Sequence, residues 1–258
     1  MPIRQSKELT FLTSETLEFY GIKHGFFMRH GGTSPFPWKS LNMATSVGDT
    51  RENVIENRKR IADSLQISQF NFYDLWQVHS KDVVIADKPR PKGESHIQAD
   101  AIVTNKNNVA LLMQFADCVP MMFYDPKRNV IASAHAGWKG TLSGIAIETI
   151  KVMMEKYKCE PKNIISVIGP SICSEHYQIG DDVASKVKSV FTHEEKVLTF
   201  INGKIFMDLP AANKSILEKL GIINIETMEI CTFCNKEDWF THRGESGKTG
   251  RFASVITF

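Results

Sequence analysis

His79, Cys118 and His135 are side chains of the right types for metal or nucleophilic chemistry, and each stands where an apolar run stops. His79 lies in "LWQVHSKDVV", between Leu75-Trp76 and the valines that follow. Cys118 lies in "FADCVPMMFYD", at the end of an apolar run and before Pro120. His135 ends the small and apolar stretch of "IASAHAGWKG", where the chain breaks into Gly137-Trp138-Lys139-Gly140. Two imidazoles and a thiolate suit Zn²⁺, and three protein ligands leave a fourth position for water or substrate. Such a site is pH-dependent, because Cys118 must lose its proton to bind. The separations are long and are no motif in the way a helical H-E-x-x-H is. A buried cysteine also serves as a small hydrophobe, and a strand-end histidine can simply bond backbone. Spacing leaves both readings open.

Cationic candidates accompany these residues. Arg58 falls within i±3 and i±4 of Val54, Ile55, Ile61 and Ala62, so it stands on the apolar face of a helix. There it either snorkels to the surface or holds a phosphate or carboxylate. Lys139, in "GWKGT", precedes a helix whose free N–H groups favour anions. Arg29, in the Gly-rich "MRHGGTS", can serve the same pocket or stand in solvent. "CTFC", Cys231 to Cys234, is a C-x-x-C with no second pair nearby. A structural zinc ribbon is not expected from it; packing cysteines are, with a redox-sensitive pair as the alternative.

The elements that must position these groups are legible in part. A helix is expected from Asp49 to Leu65, capped by Asp49 or Thr50, and a second from Thr141 to Tyr157 with Leu142, Ile145, Ala146, Ile150, Met153 and Met154 on its apolar face. A third fits Pro210 to Leu220. Strand candidates begin at Val83, Ala101, Ala110, Met121, Val130 and Ile164, and "RFASVITF" closes the chain as an alternating strand. Asn202-Gly203 suits the type I′ turn of a hairpin. His30 to Asn42, with two prolines and two glycines, is a loop. Strands and helices mix without a regular βαβ rhythm, so an α+β or irregular α/β class is expected. Neither repeat nor linker divides the chain, so residues 1–258 are expected to form one domain.

Bulk properties narrow the function classes. At 42% hydrophobic and 23% charged residues the chain is ordinary for a soluble globular protein, and its net charge of +2 offers no field for nucleic acid or a membrane surface. The N-terminus lacks the apolar core of a signal peptide, and the five cysteines are an odd number, so a cytoplasmic protein with reduced thiols is expected.

Ten segments in order, "HGFFMRHGGTS", "SLNMA", "VGD…ENVIENRKRI", "WQVHS", "ADAIVT", "ADCVP", "HAGWKG", "IGPSIC", "DLPAANKSIL" and "CTFC" with "KTGRFAS", make the chain resemble the YfiH-like, laccase-domain-containing family. The likeness runs from about His24 to the C-terminus. It implies a four-layer α/β/β/α sandwich and a Zn²⁺ bound by His79, Cys118 and His135. It also implies phosphorolysis of adenosine, inosine, guanosine and methylthioadenosine, with adenosine deamination. Lys139 stands where the family more often has arginine, which keeps the charge and loses the planar fork. His242 is a second departure, in "HRGESGKTGR".

With nucleoside and inorganic phosphate as partners, Arg29, Arg58 and Lys139 are the candidates for the anion, and Asn42 and Gln77 for orienting ribose or base. Deamination would need a carboxylate beside the ligands. Asp117 adjoins Cys118, but neighbours on a strand point to opposite faces. Three other readings stay open: a copper polyphenol oxidase, for which eight histidines are few, a thiol amidase acting on peptidoglycan precursors through Cys118, and a zinc-stabilised interaction module. A monomer or small homo-oligomer is expected.

Overall fold

The computed structural model describes residues 2–91, 93–192 and 196–258. Among these, the strands are β1 (Ile3–Ser6), β2 (Leu9–Leu12), β3 (Lys23–Phe27), β4 (Phe72–Tyr73), β5 (Val83–Ile85), β6 (Ala101–Thr104), β7 (Ala110–Phe115), β8 (Val119–Asp125), β9 (Val130–Ala136), β10 (Ile165–Ile168), β11 (Gln178–Ile179), β12 (Leu198–Ile201), β13 (Lys204–Met207), β14 (Asn224–Thr227) and β15 (Phe252–Thr257). The helices are α1 (Glu15–Phe19), α2 (Arg51–Ser64), α3 (Trp138–Ser143), α4 (Ile145–Tyr157), α5 (Asp181–Val190) and α6 (Leu209–Lys219). One sheet runs β1-β2-β3-β15-β7-β4, a second β14-β10-β8-β9-β6-β5, and β11-β13-β12 form a small third.

Side-chain alternation explains why the large sheets stack. In β15, Phe252 and Ile256 face one apolar cluster, and Ala253 and Val255 face another. In β7, Leu111, Met113 and Phe115 share the first cluster, and Ala110 and Leu112 the second. The first cluster also takes Met122 and Tyr124 from β8 and Ile131 from β9, so it fills the space between the sheets. The opposite face of β8 and β9 packs with Ile145, Ile150 and Met153 of α4 and Ile216 of α6. Ile61 and Ala62 of α2 cover the outer face of the first sheet. The layers are therefore α/β/β/α, as the resemblance implied. Each large aliphatic or aromatic side chain fully buried in them stabilises the fold by about 1.5–3 kcal/mol. The α+β class holds.

Local expectations divide in instructive ways. Thr50 caps α2, its hydroxyl accepting the Asn53 N–H. The expected helix from Thr141 is two helices, because Gly144 at φ +89° ends α3 in the left-handed region before α4 begins. Met154, placed on the apolar face by periodicity, is 41% exposed. The alternating β15 is not half-exposed but buried on both faces, between β3 and β7. The Asn202-Gly203 turn has both residues at positive φ, +50° and +74°, as a type I′ hairpin requires.

Candidate metal centre

The register of β8 against β9 brings two candidate ligands together. Val119 pairs with Ala136 and Pro120 with His135, so Cys118, one residue before β8, falls beside the end of β9. His135 has the parity of Ile131 and thus faces the inter-sheet layer, where its ring lies 5.3 Å from that of Phe115. β6 flanks β9 on the other side, pairing Ala101 with Ala134, which sets Asp100 beside His135. The His135 amide donates to the Asp100 carbonyl at 2.8 Å.

The Asp100 carboxylate then organises the site. Its Oδ1 takes the Nδ1–H of His135 at 2.8 Å, leaving Nε2 as the free donor atom. Its Oδ2 accepts the Val78 and Ser80 amides at 3.2 and 2.6 Å. Those amides flank His79, whose φ of +61° is uncommon for a residue with a side chain. The result places His79 Nε2 3.7 Å from Cys118 Sγ, with the two imidazole centroids 4.8 Å apart. All three ligand atoms lie within 4.8 Å of one another. Zn–N and Zn–S bonds of about 2.0 and 2.3 Å set tetrahedral ligand atoms about 3.3–3.8 Å apart, so the set fits one metal ion.

Gly137 makes this approach possible. A Cβ there would lie 2.7 Å from His79 Cδ2 and 2.9 Å from Cys118 Sγ. Its φ of −75° is ordinary, so space alone demands glycine. Buried on one side by His135 and open to solvent at His79, the set has the asymmetry of a site that admits a ligand.

Charge reinforces the arrangement. Burial would push the Cys118 thiol up, but His135 and His79 outweigh it and bring it down to about 6. Burial would push His135 down, but Cys118 and Asp100 raise it to about 9. A thiolate facing an imidazolium is ready to exchange the imidazolium proton for a metal cation.

Other residues converge that the sequence did not single out. Arg251 is drawn into the field of Cys118 and Asp117, though burial lowers its pKa. Its guanidinium donates to the Thr249 and Gly250 carbonyls, and among the described residues it pairs with no carboxylate. Burial and Cys118 push Tyr177 up, so its phenol remains a donor at neutral pH. Arg243 lies over the Tyr177 ring at 5.2 Å. Asp117 is on no strand: at φ +83° it turns the chain between β7 and β8, and its carboxylate takes the Thr232 hydroxyl and the Arg243 amide at 2.7 and 2.6 Å. The expected opposite-face geometry therefore does not apply to it.

The expected substrate contacts have other partners. Arg58 donates to the buried Asp74 at 2.7 Å and to the Met43 carbonyl, and Asp74 also receives Arg90 and His96. Its place on the apolar helix face thus reflects an internal ion pair. Asn42 is fully buried and its amide is saturated by Ala44, Asp49 and the Arg251 amide. It positions Arg251 rather than presenting a free group. Gln77 pairs through its side-chain amide with both backbone groups of Gln114. Arg29 binds the Lys39 and Lys236 carbonyls and Glu245. Lys139 is exposed beside Trp138, in a helix of only six residues. Cys231 and Cys234, expected as packing groups, lie beside Cys173 and His176.

Sequence and structure comparisons agree with this architecture. A family model described as multi-copper polyphenol oxidoreductase laccase matches residues 23–258. A Deinococcus radiodurans protein named purine nucleoside phosphorylase is 35% identical over 235 residues, 91% of this chain and 88% of that protein. Bacillus subtilis purine nucleoside phosphorylase YlmD is 35% identical over 90% of this chain and 87% of its own length. The crystal structure of Bacillus licheniformis hypothetical protein YfiH superposes with a TM-score of 0.91 at 34% identity, covering 100% of this chain and 99% of that one.

Proposed function

This chain belongs to the multi-copper polyphenol oxidoreductase laccase family, and from that premise we propose that it is a purine nucleoside phosphorylase built on His79, Cys118 and His135. The observation that carries the proposal is the convergence of this ligand set with the half-buried cation Arg251 in a chain whose relatives bear phosphorylase names. The substrates are adenosine, inosine, guanosine and methylthioadenosine with inorganic phosphate, and adenosine is also deaminated.

In phosphorolysis a phosphate oxygen bonds C1′ as the C1′–N9 bond breaks, and the electron pair leaves with the purine, which takes up a proton. Catalysis must hold the phosphate in line and stabilise charge on the departing base. Arg251, free of a carboxylate partner among the described residues, is the residue for the anion, with exposed Lys139 as a second cation. Tyr177 keeps a proton to donate to substrate. Asp100 fixes the His135 tautomer and, through Val78 and Ser80, the loop of His79. A zinc ion held by the three ligands would act as a Lewis acid and lower the pKa of a water molecule.

A copper oxidase would need further imidazoles beside this set. Among the described residues, His24 is spent on Ser14 and Ile22, His30 on Asp238 and His96 on Asp74. Metal-replete protein given inosine and phosphate should release hypoxanthine and ribose-1-phosphate; base release independent of phosphate, or none, overturns phosphorolysis. Adenosine without phosphate should yield inosine and ammonia, and its persistence would remove the deaminase activity alone.

A further inference from the structure

A second cluster of soft ligands lies outside the set just described. β10 and β14 are parallel neighbours, with Ile168 opposite Thr227, so the loops that follow them leave the sheet side by side. The loops stay paired: the Ser171 amide donates to the Ile230 carbonyl and the Thr232 amide to the Ser171 carbonyl, both at 3.1 Å. The first loop carries Cys173 and His176, the second Cys231 and Cys234. Their register brings all four ligand atoms within 4.8 Å of one another. His176 Nδ1 lies 3.2 Å from Cys173 Sγ, 3.4 Å from Cys234 Sγ and 4.0 Å from Cys231 Sγ.

We propose that Cys173, His176, Cys231 and Cys234 bind a structural Zn²⁺ ion that clamps the two loops together. The separations bracket the roughly 3.3–3.8 Å edges of a tetrahedral Zn–S/N shell. Three sulfurs and one nitrogen complete four-coordination from the protein, which marks a closed site. Each loop contributes a pair two residues apart, C-x-x-H and C-x-x-C, a spacing that lets one tight turn offer two ligands. The backbone supports charge on sulfur, since the Cys173 and Cys234 amides donate to Cys231 Sγ at 3.3 and 3.5 Å. The His176 ring is held flat on Phe233 at 4.2 Å, which fixes the direction of its nitrogen. Three thiolates this close repel one another unless a cation sits among them. A disulfide would use only two of the sulfurs and leave the imidazole without purpose.

The clamp bears on the first site through short links. Thr232 and Arg243 hold the Asp117 carboxylate, and the Ile172 amide donates to the Asp117 carbonyl at 3.0 Å. Asp117 precedes Cys118, and Tyr177 directly follows His176 in sequence. Fixing the two loops fixes one wall of the candidate active site.

The test separates the two sites by emptying the first. Full-length Cys118→Ala protein, purified under reducing conditions without added metal, should retain about one zinc per chain by mass spectrometry of elements, as a thiolate-rich structural site holds its metal tightly. Replacing Cys234, the exposed member, in Cys118→Ala/Cys234→Ser should abolish that zinc. Should the double variant not fold, Co²⁺ exchanged into Cys118→Ala decides, because three thiolates give intense sulfur-to-cobalt charge transfer in the near ultraviolet. Folded Cys118→Ala without zinc, zinc retained equally in the double variant, weak charge transfer, or a disulfide among the three cysteines would each overturn the proposal.

Discussion

Asp100 Oδ1 accepts the Nδ1–H of His135 at 2.8 Å while its other oxygen holds the amides on either side of His79. One buried carboxylate thus sets the tautomer of one imidazole and the backbone of the other. Asp100→Asn keeps the shape but removes the charge that favours this tautomer. Metal affinity should fall about 10–100-fold, as for other outer hydrogen-bond partners of metal-binding histidines. Competition against a chromophoric chelator measures it, and unchanged affinity would refute the assignment.

Metal uptake should release protons in a defined pH window. Cys118 is lowered to about 6 and His135 raised to about 9, so between these values the metal-free pair is thiolate and imidazolium. Binding at His135 must then expel a proton. Above about 9 no proton remains to expel; below about 6 the thiol must lose one too, and affinity falls. Calorimetry in buffers of different ionisation heat reads this count, and zero release at pH 7.5 contradicts it. Alkylation of metal-free protein should likewise show a midpoint near 6 rather than near the ordinary thiol value of about 8.5.

Gly137→Ala tests the steric reading. The backbone tolerates alanine there, but the new methyl group meets His79 and Cys118 at 2.7 and 2.9 Å. Metal retention should drop at least tenfold while the far-ultraviolet circular dichroism stays native. Full retention would mean that the two side chains move aside freely.

Arg58 and Arg251 should separate by readout. Arg58→Met unpairs a carboxylate that is 2% exposed, although Arg90 and His96 still contact it, so stability should fall by about 1–3 kcal/mol in urea with the KM for phosphate unchanged. Arg251→Met should raise that KM at least tenfold. The reverse pattern would return Arg58 to the anion site.

Asp74 adds a pH arm. Burial would raise its carboxyl, but Arg58, His96 and Arg90 outweigh this and hold it well below the usual range. A depressed carboxylate contributes stability that is complete above its unfolded value of about 3.8 and is lost as pH falls from there toward the folded value. Asp74→Asn should therefore flatten the acid limb of the stability curve and cost about 3 kcal/mol at neutral pH. An unchanged acid limb would sink this assignment.

The three candidate ligands could be read as strand-end residues because apolar runs mark strands and a polar residue at their end is conspicuous. Their meeting could not, since it depends on β8 and β9 being paired in one register and on β6 lying beside β9. Asp100 carried a local signal, an aspartate immediately before the wholly buried β6, that chemistry alone did not rank. Arg58 has a physical reason of its own that the sequence did not reveal: a cation on an apolar helix face signals a buried anion, and Asp74 is one. The cysteine pair at 231 and 234 was visible, but its partners lie about 60 residues earlier and meet it only through a parallel strand pairing.

The ligand set hangs from the ends of the second sheet, whereas Arg251 leads into β15 of the first. Between those two sheets lies the apolar filling of Met113, Phe115, Met122 and Phe252. That filling is a spacer between the two sheets, and its thickness sets how far apart they stand. A smaller or larger side chain deep between the sheets would change the spacing of the groups they carry, so under the proposed function the core of this protein is also a gauge for its chemistry.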